Sequence, residues 1–321
     1  METEIHYIKD KSFYSNSKKY NVAYKTKNGI LYNGLSEDIL YSRIFNKYMG
    51  KVNLIFTSPP FPLNRKKKYG NKNGEEYKLW IANFVDRFKE LLAPDGSIVM
   101  EIGNAWNRGS PTMSTLGIET FLEFINKGDL KLCEEFIAYY KTRLPTPTQW
   151  VNVERIRVKD ALTHIWWMSK TEKPKANNLK VLQPYSESMK YLLEIKKYNS
   201  GKRPSEHHIG EKSFLTDNGG SIPSNLLAVS NSKSNDPYLK FCKMNNIPIH
   251  PARMPEEIPT FFIKLLTDPG DIVLDPFAGS NVTGFVAESL GRKWISIEAN
   301  SIYAKSSKSR FKSTIRGKAL E

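Results

Sequence analysis

The stretch Gly270-Asp271-Ile272-Val273-Leu274-Asp275-Pro276-Phe277-Ala278-Gly279-Ser280-Asn281-Val282-Thr283-Gly284 runs an apolar, buried-type strand into a tight loop of small residues and then into a helix. The helix continues through Phe285, Val286, Ala287 and Leu290, stops at Gly291, and leads to a second strand, Trp294–Ile297, that ends in Glu298. This is one βαβ unit, and it commits the chain to an α/β fold. Loops of this shape hold nucleosides, and a carboxylate about 20 residues past the glycine loop accepts hydrogen bonds from ribose hydroxyls. Glu298 lies 19 residues after Gly279. The dinucleotide fingerprint Gly-x-Gly-x-x-Gly is absent, and Asp275-Pro276-Phe277 stands where its first turn would be.

A second strand-to-loop junction carries different chemistry. Val52-Asn53-Leu54-Ile55-Phe56 delivers Thr57-Ser58-Pro59-Pro60-Phe61 to a sheet edge. The two prolines fix φ and withhold two backbone N–H donors, so the carbonyls of Ser58 and Pro59 are left to face whatever lies against the Phe61 ring. A small hydroxyl, carbonyls and an aromatic face suit a flat group with an exocyclic amine, such as a flipped nucleobase.

Ser58-Pro59-Pro60-Phe61 resembles the catalytic motif of S-adenosylmethionine-dependent DNA amino-methyltransferases, in the form typical of enzymes that methylate cytosine N4. Adenine N6 enzymes more often begin that motif with Asp or Asn. Asp275-Pro276-Phe277-Ala278-Gly279-Ser280 is similar to the cofactor loop of the same enzymes, with Asn281 where Gly is usual; Asn tolerates left-handed backbone angles better than most residues. The catalytic strand precedes the cofactor loop by more than two hundred residues, an order that resembles the beta class of these enzymes. Further stretches, Arg65–Asn71, Arg155–Asp160 and Lys175–Asn178, are similar to the PvuII-type modification methyltransferases.

The resemblance covers nearly the whole chain. It implies a circularly permuted Rossmann-like methyltransferase fold with a mixed, seven-stranded-type sheet and an inserted target-recognition region. It also implies S-adenosyl-L-methionine as cofactor, held by Asp275, Pro276, Phe277, Gly279, Ser280, Asn281, Glu298 and Pro255. The catalytic set would be Ser58, Pro59, Pro60 and Phe61. Double-stranded DNA is the implied partner, with a restriction endonuclease as functional counterpart and no stable complex between the two. In the segment Asn33–Leu40, Leu35 replaces the acid that the family keeps near the cofactor adenine, so no cofactor role is assigned there.

The implied chemistry follows from the amine. Its lone pair is delocalised into the ring, and Ser58 with the Pro59 carbonyl would bind the amine hydrogens and aim the pair at the methyl donor while Phe61 stacks on the base. No strong general base is evident in the sequence. Adenine N6, RNA or protein methylation, and a DNA-binding protein that keeps the fold without catalysis, remain as alternatives.

A net charge of +15 over 321 residues suits a polyanionic partner; it equally suits a lysine-rich surface set by the base composition of the coding sequence. Arg65, Lys66, Lys67, Lys68 and Lys72 follow the catalytic motif directly and would clamp phosphates. Cys133 and Cys242 are the only cysteines and neither follows a proline, which excludes a disulfide framework and the thiolate chemistry of cytosine C5 methylation. The five histidines are scattered, so no metal site is expected. With no secretory signal and no membrane-length apolar run, a cytoplasmic protein is expected; the sequence leaves the oligomeric state open, with a monomer acting on each strand in turn as the default.

Residues 1–170 read as the catalytic half, 171–246 as the recognition insert, 247–304 as the cofactor half and 305–321 as a basic, frayed tail. Helical spacing joins Tyr77, Trp80, Ile81, Phe84, Phe88, Leu91 and Leu92 as core, and Pro94-Asp95-Gly96 turns that helix into the strand Ser97–Ile102. Phe136–Tyr140 and His164–Met168 read as a closing antiparallel pair. The insert carries 12 Lys and Arg against 7 acids, and Lys202, Arg203, Asn177, Asn178 and Gln183 are candidates for DNA contact. Ile249–Pro255 precedes an amphipathic helix ending near Leu266, whose start suits the cofactor carboxylate.

Overall fold

The computed structural model describes residues 20–61, 74–197, 200–202, 204–206, 208–210, 215–229 and 236–312. The strands among them are β1 (Asn21–Lys25), β2 (Gly29–Asn33), β3 (Val52–Thr57), β4 (Leu92–Gly103), β5 (Ala105–Trp106), β6 (Met113–Ser114), β7 (Lys131–Tyr140), β8 (Leu162–Ser169), β9 (Gly201–Lys202), β10 (His208–Ile209), β11 (Leu226–Val229), β12 (Ile272–Asp275) and β13 (Lys293–Glu298). Nine of them form one sheet in the order β1-β2-β13-β12-β3-β4-β8-β7-β11. The expected seven-stranded sheet is the run from β2 to β7. The antiparallel β1 extends one edge and the parallel β11 the other.

β3 lies parallel to β12, Leu54 opposite Val273 and Ile55 opposite Leu274. On the other side β3 lies parallel to β4, and β12 lies parallel to β13. The chain therefore leaves the β3/β12 junction in opposite directions, and the carboxyl ends of both strands open on one edge. In open α/β sheets that junction is where ligands bind. Only β8 runs antiparallel between β4 and β7, so β7 also ends at this edge and β8 starts there.

Strand alternation divides the core between the two faces. Ile55, Ile98, Leu274, Ile295 and Ile297 pack with α1 (Ser36–Leu40), α2 (Gly74–Ala82), α3 (Val85–Leu91) and α4 (Leu116–Gly128). Leu54, Phe56, Val99, Val273 and Trp294 face the other way. Of the remaining helices, α5 (Glu187–Ile195) lies in the insert with no buried residue and α6 (Pro237–Met244) buries Tyr238 and Cys242. On the second face of the sheet lie α7 (Glu257–Leu266), α8 (Val282–Ser289) and α9 (Ser301–Ser307). Among the described residues, no helix is long and apolar enough to cross a membrane.

Three expectations change. The helix read from Tyr77 to Leu92 is two, α2 and α3, broken at Asn83 and Phe84. β4 starts at Leu92, with Pro94-Asp95-Gly96 in an irregularity where Val52 pairs with Leu92 but Leu54 pairs with Ser97. The ends of the 171–246 insert belong to the main body: Lys175 bonds Asp271 at 2.7 Å, Asn177 N donates to Leu265 O at 2.8 Å, and β11 completes the sheet.

The tail is not frayed through Lys312. Arg310 is buried; its Nε donates to Ser280 O at 2.7 Å, Nη2 donates to Ser280 Oγ at 3.0 Å, and Nη1 pairs with buried Asp236 Oδ1 at 2.9 Å. Asp236 also caps α6 through Tyr238 N. One guanidinium thus joins the tail, the end of the insert and the loop after β12. A charge left without its partner in such a site destabilises strongly. Arg310→Met is expected to cost about 3 kcal/mol in denaturant unfolding, the low end for a broken buried pair, because Arg253 stays 3.4 Å from Asp236; an unchanged unfolding midpoint would show that the guanidinium carries no such role.

Candidate active site

Thr57 closes β3 in the core and hands Ser58 to the sheet edge. One strand over, Glu101 follows Met100, the partner of Thr57. Glu101 is 4 % exposed and its Oε1 accepts the Tyr140 hydroxyl at 2.9 Å. Burial raises the Glu101 pKa, opposed by the bonds from Tyr140 and Ser58 and by the charge of Arg143. Burial likewise raises the Tyr140 phenol, which stays a donor. A buried carboxylate therefore stands one strand over from the motif serine, where the sequence made no strong base evident.

Pro59 is buried, and Pro60 and Phe61 are half-buried. The Phe61 ring packs against Gly103 at the end of β4; a Cβ there would come within 2.5 Å of it. The absence of a side chain at Gly103 is what lets the aromatic ring lie against the strand.

The loop after β12 is bound to the same edge. The buried Asp275 carboxylate accepts Thr57 Oγ1 at 3.2 Å and Phe277 N at 3.0 Å, and burial pushes its pKa up to about 6. The Ser36 hydroxyl donates to the Pro276 carbonyl. Phe277 lies 5.5 Å from Trp80 and 5.4 Å from Phe84, ring to ring, and Trp80 Nε1 donates to Glu37 Oε1 at 2.5 Å. Leu35, in the family's acid position, is 54 % exposed; the acid brought to this aromatic cluster is Glu37, two residues on.

Gly279 takes φ +54°, and the His250 ring covers it so closely that a Cβ would sit 2.9 Å away. Glu298 Oε2 accepts Gly279 N at 2.8 Å, and Oε1 accepts Asn300 N at 2.7 Å. Burial pushes Glu298 up to about 7, opposed by those two bonds and raised further by Asp275. Both partners are neutral amides, so the carboxylate keeps acceptor capacity for the hydroxyls of a ribose.

Asn281, of the expected cofactor-binding set, is bonded within the protein. It takes φ +55° as expected, but its side chain is fully buried. Its Nδ2 donates to Tyr24 Oη at 2.9 Å, and its Oδ1 accepts Ser296 Oγ at 2.7 Å and Gly284 N at 3.2 Å. It shapes the loop and starts α8 instead of offering polar atoms to a ligand. Ser280 is similarly occupied by Arg310. Pro255 is half-buried and its carbonyl accepts Ile258 N at the start of α7; it is His250, from the same segment, that touches the loop. Arg65, Lys66, Lys67, Lys68 and Arg203 lie outside the described residues, whereas Lys202 is exposed on the β9–β10 ribbon. Among the described residues, no group of three or more His, Cys, Asp or Glu is disposed to hold a metal ion.

Glu101, Tyr140, Glu37 and Arg310 are the residues that sequence reasoning missed, whereas His250 stood within the segment Ile249–Pro255 already read as lying near the cofactor. One signal could have found Glu101: it is the single charge in the apolar run Ile98–Ile102.

Residues 52–309 match the DNA methylase family. The type II methyltransferase M.PvuII of Proteus hauseri is 47 % identical over 291 residues, covering 90 % of this chain and 85 % of the relative. The solved PvuII DNA methyltransferase, titled cytosine-N4-specific, superposes with a TM-score of 0.72 at 39 % identity, covering 90 % of this chain and 88 % of that one. M1.HpyAVI, solved in complex with S-adenosylmethionine, shares the fold at 22 % identity and a TM-score of 0.53, over 88 % of this chain and 98 % of that one. Two sheet-edge motifs, bonded to each other through Thr57 and Asp275 and matched along this length, place the chain in the DNA methylase family.

Proposed function

We propose that this chain transfers the methyl group of S-adenosyl-L-methionine to the exocyclic N4 amine of cytosine in double-stranded DNA. The observation that carries the reading is the edge itself: the strand that delivers Ser58 is bonded to the loop after β12 by Thr57 and Asp275 at 3.2 Å, and one strand over stands buried Glu101, held by Tyr140 at 2.9 Å.

The residues present fit the cofactor. Glu298 would take its ribose hydroxyls, Phe277 with Trp80 and Glu37 its adenine, and the Gly279 turn under His250 the path between. Pro255 and the start of α7 are the candidates for its methionine end. When bound, it supplies an electrophilic methyl group on a sulfonium.

The protein's part is to make a poor nucleophile usable. Glu101 accepts a hydrogen bond from the Ser58 hydroxyl, which turns the Ser58 oxygen lone pairs toward an amine hydrogen of the flipped base. The Pro59 carbonyl takes the other hydrogen, and Phe61 stacks on the ring. With both amine hydrogens held, the nitrogen lone pair is drawn out of the ring and aimed, so orientation supplies most of the rate. As the N–C bond forms, one proton leaves nitrogen for the Ser58 oxygen, and the Ser58 proton moves to Glu101. The rise in the Glu101 pKa favours this final acceptance.

The type II title of the M.PvuII relative supports a modification enzyme that protects DNA from a cognate endonuclease. A cytoplasmic monomer acting on each strand in turn is the simplest form of such an enzyme. The insert between Gln183 and Ser221, with Lys202 exposed, is the part best placed to read bases away from the sheet.

Glu101 must be ionised to accept a proton, so kcat/KM for DNA is expected to rise with pH through a value above the ordinary carboxylate range. Glu101→Gln is expected to lower kcat by about 100-fold or more and abolish that limb, with cofactor affinity retained; full turnover in this variant would remove Glu101 from the mechanism. Ribose hydroxyls favour the ionised Glu298, so cofactor binding measured by calorimetry is expected to tighten as pH rises through about 7 and to lose this dependence in Glu298→Gln. A flat profile in the native protein would contradict the assignment.

A further inference from the structure

Between β7 and β8 the chain leaves the sheet at Tyr140 and returns at Leu162, at the edge that carries Ser58. This arch, residues 141–161, holds Lys141, Arg143, Arg155, Arg157 and Lys159 against Glu154 and Asp160, five basic residues to two acidic. It also exposes large apolar side chains: Val158 is 86 % exposed, Leu144 76 %, Val153 64 % and Ile156 60 %. Aliphatic groups held in water this way mark a contact surface more often than a finished exterior.

The arch is braced from within. Asp160 Oδ1 accepts Asn104 Nδ2 at 3.0 Å, and Lys159 Nζ donates to Lys141 O at 3.2 Å. Ile156 N donates to Trp150 O at 3.0 Å, and Asp160 N donates to Thr146 O at 3.1 Å. The Arg157 guanidinium lies 4.0 Å from the centre of the Trp106 ring on the β5–β6 ribbon, which also rises from the catalytic edge. These bonds use the arch's polar atoms near its base, while Val158 and Ile156 stay in solvent. Its first stalk is the catalytic chain itself: Tyr140 bonds Glu101, and Arg143 stacks 4.8 Å from the Tyr140 ring centre.

We propose that the 141–161 arch is a second DNA-binding element, separate from the insert, in which Arg155 and Arg157 hold backbone phosphates and Val158 and Ile156 pack against the duplex beside the target base. It rests on DNA being the substrate of the active site. The positive charge fits a polyanion, and the apolar tips fit base edges, thymine methyl groups or the gap left by a flipped base. A duplex seated here bears directly on Tyr140 and, through it, on Glu101 and Ser58.

The test compares Arg155→Gln/Arg157→Gln and Val158→Ser with the native chain, using a short mixed-sequence duplex for binding and sheared unmethylated bacterial DNA for methyl transfer. Each phosphate contact contributes about 0.9 to the slope of log Kobs against log salt. The double variant is expected to lose roughly 2 from that slope. Val158→Ser, at a side chain with almost no packing to lose, is expected to raise the KM for DNA at least about fivefold with the slope unchanged, the size of a lost apolar contact. Cofactor affinity should match the native chain in both, and the thermal midpoint should match it in Val158→Ser. A native salt slope together with a native KM for DNA overturns the proposal. If the native chain transfers no methyl to DNA yet the slope still falls in the double variant, the arch stands and the active-site reading fails.

Discussion

Everything at the functional edge depends on one pairing, β3 beside β12. The two strands are 218 residues apart at their bonded ends, Thr57 and Asp275, and neither carries the chemistry alone. Parallel register brings both carboxyl ends to one edge, and the buried Asp275 carboxylate then fastens the strand that carries Ser58 to the loop that carries Gly279. Burial costs that carboxylate its easy ionisation. The cost is offset by bonds from Thr57, Thr283 and the Phe277 amide, which hold the loop in one shape.

Polar groups buried around this junction recur in the same pattern. Asp275, Glu298 and Glu101 are all raised by desolvation, and each is held by hydroxyls or amides rather than by a directly bonded cation. Such groups are expensive in a free protein and valuable in a site, because a low-dielectric surround strengthens every bond they make to a ligand. Asn281 and Arg310 act in the opposite sense. Their polar atoms are spent inside the protein, fixing the backbone that the carboxylates serve.

Much of this was legible in the sequence, because the signals are local. An apolar strand ending in Ser58-Pro59-Pro60-Phe61, and a strand, glycine turn and helix with an acid 19 residues on, can be read without knowing what packs where. What escaped depends on long-range contact. Glu101 sits in a strand whose alternation could as well send it to solvent, and its partners Ser58 and Tyr140 are brought to it only by the strand order. Arg310 reads as one more basic residue of a tail; its burial requires Asp236, 74 residues away. Strand β11, Leu226–Val229, is four residues long, too short for periodicity to separate it from the loop-rich insert around it.

In the proposed mechanism a serine, a buried carboxylate and a stacked ring activate an exocyclic amine of cytosine. The most direct measurement is to incubate the purified protein with S-adenosyl-L-methionine and unmethylated bacterial DNA, digest the DNA to nucleosides and identify the methylated species by mass spectrometry. N4-methylcytosine is the expected product. N6-methyladenine, or no methylated nucleoside from a protein that binds the cofactor, would contradict it.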